Sequence, residues 1–107
     1  MIISYYVFDQ VDDEELFIFK SLHEDFATKE FYNRTNVKKL ETNLFILSDS
    51  IKPFIENSKV FELLRTEDIK SLPIIEIDKQ IVKIGNYLSL DELSELTGIG
   101  MSVQRKD

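Results

Sequence analysis

Cysteine and tryptophan are both absent from the 107 residues, and there is a single histidine. Without a thiol the chain can form no disulfide, no thiol redox couple, no thiolate nucleophile and no soft-metal thiolate site. Glycine occurs three times and proline twice. Gly85, Gly98 and Gly100 each fall at a turn or terminus, so no glycine-rich loop can cradle a phosphate. Positive charge is also scarce, with 13 Lys+Arg against 20 Asp+Glu and a net charge of −7. That balance opposes a nucleic-acid groove or an anionic membrane as the main partner, because both require clustered positive charge. No apolar run approaches the roughly 18–20 residues that span a bilayer. The start, Met1-Ile2-Ile3-Ser4-Tyr5, lacks the basic segment of a secretory signal, so a soluble cytoplasmic protein is expected. What is present is enough for a core. At 43% hydrophobic and 11% aromatic residues, the chain is too apolar for disorder and suits one domain over residues 1–100, with 101–107 expected to fray.

Ile2 to Phe8 form a nearly continuous β-branched and aromatic run, which predicts a strand buried on both faces and hence a central one. The next long stretch has neither glycine nor proline. Leu16, Phe19, Leu22 and Phe26 recur at helical spacing, with Val37 and Leu40 at the far end. Lys29, Arg34, Lys38 and Lys39 sit where a helix C-terminus favours cations. A helix is predicted over Glu24–Leu40, while residues 13–22 fit its first turns, a separate helix or a strand. Asn43 to Leu47 predict a second strand. Pro53 suits a helix start, with Phe54, Ile55, Val60, Leu63 and Leu64 on its apolar side and Asn57-Ser58 as a kink or re-cap. Ile74–Ile77 and Ile81–Ile84, joined by Asp78-Lys79-Gln80, predict an antiparallel hairpin. A last helix opens at Ser89, with Glu92 completing a capping box. Leu93 and Leu96 are its inward residues, and Gly98 is its left-handed stop.

The order is β-α-β-α-β-β-α. A β-α-β opening requires a right-handed crossover and parallel strands, and the hairpin adds an antiparallel strand. The expected fold is therefore α/β and thioredoxin-like, a four-stranded mixed sheet flanked by helices. Pro73 fits as the cis-proline that commonly precedes the third core strand of that fold.

From Ser50 onward the sequence resembles the ArsD family of arsenical-resistance operons. The carrying residues are Lys52 to Asn57, Val60, Leu63-Leu64, Ser71-Leu72-Pro73, Asp78, Gly85-Asn86-Tyr87, Asp91-Glu92-Leu93 and Thr97-Gly98-Ile99. With Tyr6-Val7-Phe8-Asp9 standing like the family's opening strand, the resemblance covers about two-thirds of the chain. It implies a dimeric protein that passes trivalent arsenic or antimony to a partner ATPase of the arsenite-pump type and weakly represses its own operon. The family holds the metalloid on cysteines just after the first strand's Asp. Here Gln10-Val11-Asp12-Asp13-Glu14-Glu15 stand instead, and hard carboxylates are no substitute for thiolates toward a thiophilic centre.

Two candidate surfaces follow. Asp9, Asp12, Asp13, Glu14 and Glu15 could bind a hard divalent cation, dock a basic partner, or simply cap and charge a helix N-terminus. The run Leu16-Phe17-Ile18-Phe19 cannot place all four side chains on one face of an amphipathic helix. It reads as an interaction surface, or as a locally buried segment. Residues 12–19 together are therefore the candidate surface for a homodimer or a protein partner. No catalytic group, cofactor or metal ligand is assigned. His23 lacks a partner constellation, and the tyrosines read as packing residues with polar tips. The expected activity is non-enzymatic, through protein contacts; operator binding and a hard-cation site are the alternatives.

Overall fold

The computed structural model describes residues 1–9, 13–35 and 39–98. Strand β1 (Ile2–Val7) occupies the interior of a four-stranded sheet of order β2-β1-β3-β4. It runs parallel to β2 (Glu41–Ile46) and antiparallel to β3 (Ile74–Ile77), and β3 pairs antiparallel with β4 (Gln80–Ile84). Alternation along β1 supplies two cores. Ile3, Tyr5 and Val7 face Leu16, Phe19, Leu22 and Leu93, whereas Tyr6 faces Phe54, Val60, Leu72 and Ile74. An apolar run on both faces has to be covered on both, and helices do so.

The helix predicted over Glu24–Leu40 is resolved differently. There are two helices, α1 (Glu14–Glu24) and α2 (Phe26–Thr35), separated at Asp25, whose backbone is extended at φ −91°, ψ 96°. Leu16, Phe19 and Leu22 belong to α1, which settles residues 13–22 as a separate helix. Aspartate competes with helical backbone bonding and favours such breaks. Leu40 is buried outside any helix, its N–H donating to Asn33 Oδ1 at 2.8 Å. Val37 and Lys38 lie outside the described residues.

Pro53 sits in the first turn of α3 (Lys52–Glu56), and α4 (Ser58–Glu67) follows at once. Asn57 makes the division: extended at φ −100°, ψ 104°, it ends α3 and its side chain accepts from Val60 N–H, capping α4. Phe54 and Val60 are buried, but Ile55 points outward, contrary to its expected place on the apolar side. A 3₁₀ turn, Asp68–Ser71, leads to a cis Leu72–Pro73 bond and β3. The hairpin turn is Asp78-Lys79, both at positive φ as a two-residue turn requires. Asp78 ties it to β1, exchanging bonds with Ile2 through its carboxylate and its own N–H, both at 2.8 Å. A bulge between Ile75 and Glu76 explains the imperfect alternation of the hairpin. In α5 (Leu90–Thr97) the capping box of Ser89 and Glu92 is complete, and Gly98 ends the helix at φ 68°. Leu93 is buried, while Leu96 is exposed rather than inward. Among the described residues no helix is long and apolar enough to cross a membrane.

Candidate functional site

The end of the sheet where β1 and β2 finish and α1 and α3 begin carries Asp9 and the acidic start of α1. Leu47 and Ser48 N–H bond to the carbonyls of Val7 and Phe8, extending the β1–β2 pairing past the strands. Ser48 Oγ donates to Asp9 Oδ1 at 3.2 Å. Asp13 is the N-cap of α1, its Oδ1 accepting from Glu15 N–H at 2.9 Å and Leu16 N–H at 3.3 Å, with Glu14 and Glu15 in the first turn. Asp12 lies outside the described residues, as do Gln10 and Val11. Among the described residues no three His, Asp or Glu side chains stand close enough together to hold a metal ion.

The four apolar residues that follow are divided by α1. Leu16, Ile18 and Phe19 are buried in the core, whereas Phe17 is 53% exposed. Of the described part of that run, 13–19, Glu14, Glu15 and Phe17 are exposed and Asp13 is half-buried. Phe8, on the loop after β1, Ile51, at the N-cap of α3, and Ile55, in the last turn of α3, are exposed. Sequence reasoning did not single out these three, because exposure after a strand and on a short helix is set by packing rather than by local pattern. A signal was available in Ile51 and Ile55, which share one side of α3 by their spacing of four.

Behind this end lies an aromatic column. Tyr5 stacks on Phe19 with centroids 3.6 Å apart and rings 6° from parallel, flanked by Tyr87 at 6.0 Å. Phe19 in turn stacks on His23, also at 6.0 Å. Burial pushes the Tyr5 phenol far above its usual range. The Leu88 backbone, close by but without hydrogen-bond geometry, offsets only part of that effect. Tyr87 is pushed up to about 12 by burial, with the Asp13 and Glu15 charges adding to it. Both phenols therefore stay neutral beside an acidic loop, and neither can serve as an anionic ligand near neutral pH.

His23 Nδ1 lies 2.7 Å from Thr42 Oγ1, and Lys29 Nζ donates to the His23 carbonyl at 2.6 Å. Burial, seconded by the Lys29 charge, lowers the imidazole below its ordinary 6.5. The unfolded chain therefore takes up this proton first as pH falls. The stability linked to His23 is complete above about pH 6.5 and is lost as pH falls from there toward the depressed folded value. A proton-detected titration should place the His23 midpoint below 6.5, and His23→Gln should flatten the fall in urea-unfolding stability over that window. A midpoint at or above the ordinary value would contradict the environment described.

A second polar group stands on the opposite face of the sheet. Asn57 Nδ2 donates both to Tyr6 Oη at 3.1 Å and to Glu76 Oε1 at 2.9 Å. The sequence offers Asn57 only as a kink or cap and Glu76 only as one residue of a strand. Their meeting depends on how α4 is laid over the sheet.

Comparison with known proteins agrees with this architecture. No curated protein matches the chain. The crystal structure of the arsenical resistance operon trans-acting repressor from Bacteroides vulgatus ATCC 8482 superposes with a TM-score of 0.69 at 17% identity, covering 94% of each chain. At that identity the likeness speaks for the fold, which is thioredoxin-like. The family model described as arsenical resistance operon protein ArsD matches residues 13–107, beginning at the residue that caps α1. With most of its length inside that match, and with the mixed sheet and cis-proline its residues imply, this chain belongs to the ArsD family.

Proposed function

We propose that this chain serves an arsenical-resistance operon as a non-enzymatic protein-contact module, with no metalloid held on thiols. The carrying observation is the set of exposed apolar residues Phe8, Phe17, Ile51 and Ile55 on the segments that follow β1 and β2. Asp9, Glu14, Glu15 and Asp49, all exposed, accompany it. Apolar anchors with an acidic border suit a protein partner whose own apolar side chains are framed by Lys and Arg. An ATPase of the arsenite-pump type is the partner that family membership supports. Cysteine is absent throughout the chain, so trivalent arsenic finds no soft ligand, and the contact itself is what remains.

The test is interferometry of the purified chain against a purified arsenite-pump ATPase at low and high salt. Binding should weaken as salt rises and fall more than about tenfold in a Phe8→Ser/Phe17→Ser variant whose melting is unchanged. No binding, or binding indifferent to both changes, overturns the reading; sedimentation of the chain alone reports whether the same surface pairs two copies. The neighbour's description as a trans-acting repressor favours a second reading, operator binding. The shortage of basic residues opposes it, and a gel shift with the chain's own promoter region at low salt decides it.

A further inference from the structure

On the sheet face overlaid by α3 and α4, strand register aligns Asn43, Ser4 and Glu76 in one row across β2, β1 and β3. The neighbouring row, Phe45, Tyr6 and Ile74, is apolar apart from the Tyr6 hydroxyl and belongs to the core under Phe54 and Val60. The polar row is not filled in this way. Above it opens a cleft of about 650 Å³, within the usual range for small-molecule sites. Its floor is polar yet nearly closed to solvent: Glu76 is 5% and Ser4 8% exposed.

We propose that this cleft binds a small primary ammonium compound, its charged head on Glu76 and its aliphatic body against Ile2, Phe45 and Pro53. A carboxylate this buried is costly unless a cation or several donors meet it. Glu76 has Asn57 Nδ2 as a donor, and no cationic side chain pairs with it among the described residues. Asn57 is itself fully engaged, since its amide also serves Tyr6 and its carbonyl caps α4. Asn43 Nδ2 donates to Ser4 Oγ at 3.2 Å, leaving Asn43 Oδ1 directed to no protein donor among the described residues. The floor thus presents the Glu76 carboxylate with the Ser4 hydroxyl next to it in the row and the Asn43 carbonyl on the far side of Ser4, a set of acceptors that suits the N–H donors of an ammonium group.

Other ligand classes fit less well. A hard divalent cation takes six or more oxygens with several carboxylates, and the floor has one. An anion would meet Glu76 directly. The exposed charged lining residues are Glu41 and Glu56 with Lys59 and Lys79, so their formal charges balance and the floor sets the sign. Burial raises the Tyr6 phenol, which stays protonated and adds no second charge.

Two probes separate the sources of such a head group. They are n-pentylamine for a free amine and Nα-acetyl-lysine methylamide for a lysine side chain of a peptide. In amide-detected NMR titrations at neutral pH, either should give saturable shifts at Ser4, Asn43, Asn57 and Glu76, and the tighter one names the source. Pentanol and pentanoate, which lack the positive charge, should give none there. Glu76→Gln keeps an oxygen for Asn57 and should weaken binding at least about tenfold, while Asn43→Asp should tighten it. Absence of saturable shifts with both amines overturns the proposal. So does an equal response to pentanol, or affinity unmoved by both substitutions. If Glu76→Gln does not fold, the Asn43→Asp comparison and the neutral control still decide.

Discussion

Replacing Phe19 by alanine should lower the free energy of unfolding by about 3–5 kcal/mol, while Phe17→Ala, two residues away, should stay within about 0.5 kcal/mol. Phe19 is fully buried and stacked on Tyr5 at 3.6 Å. Removing its ring leaves a cavity between β1 and α1, and strips one face of a Tyr5 ring whose hydroxyl has no hydrogen-bond partner among the described residues. Phe17 is 53% exposed and loses little on truncation. A domain of this size has roughly 5–15 kcal/mol in hand, so the Phe19 variant forfeits a large share of it. Urea unfolding followed by circular dichroism measures both, with an unchanged slope as the sign that the two states are preserved. Similar small shifts for the two variants would mean that α1 does not face the sheet as described. A substitution of both phenylalanines together would test folding rather than docking, so an interface experiment on this run needs Phe17 without Phe19.

That contrast also marks how much the residues disclose through their order alone. The central position of β1, the hairpin and the capped final helix were legible because their signals are local: a continuous apolar run, a short polar connection between two apolar runs, and a serine three residues before a glutamate. The thioredoxin-like order followed from them. The segment from 13 to 40 was not legible. Leu16, Phe19 and Leu22 carry helical spacing, but nothing in it marks Asp25 as a break, and a helix through Leu40 satisfied the same periodicity. Four consecutive apolar residues are equally silent about which of them a helix will bury. Ile55 and Leu96 were misplaced for a related reason, since period alone does not say how wide a stripe its neighbours cover. The polar row is the extreme case. Asn43, Ser4 and Glu76 become neighbours through pairings that span 39 and 72 positions in sequence.

Asn57 gives the sharpest test of that hidden side of the sheet, because three substitutions there separate its two duties. Asn57→Ala removes the α4 cap, worth about 1 kcal/mol. It also removes the only direct donor to a buried carboxylate among the described residues, worth about 1–3 kcal/mol more; the sum is the expected loss in urea unfolding. Asn57→Ser retains a capping oxygen and should recover the first part alone. Asn57→Asp retains the cap, and its charge is favourable at a helix N-terminus, yet it sets a carboxylate where the amide donated to Glu76. Two carboxylates at hydrogen-bond distance cannot both ionise cheaply, and one is driven to hold its proton above the usual range. The folded state then binds that proton at a pH where the unfolded chain has released it. The Asp variant should therefore be least stable relative to the parent near neutral pH, and should recover as pH falls toward the raised value. Adding Glu76→Gln, which removes one of the two charges and supplies an amide donor, should restore it at neutral pH. An Asn57→Asp protein as stable as the parent at neutral pH would mean that Asn57 caps α4 without holding Glu76, and the buried carboxylate would then need another partner.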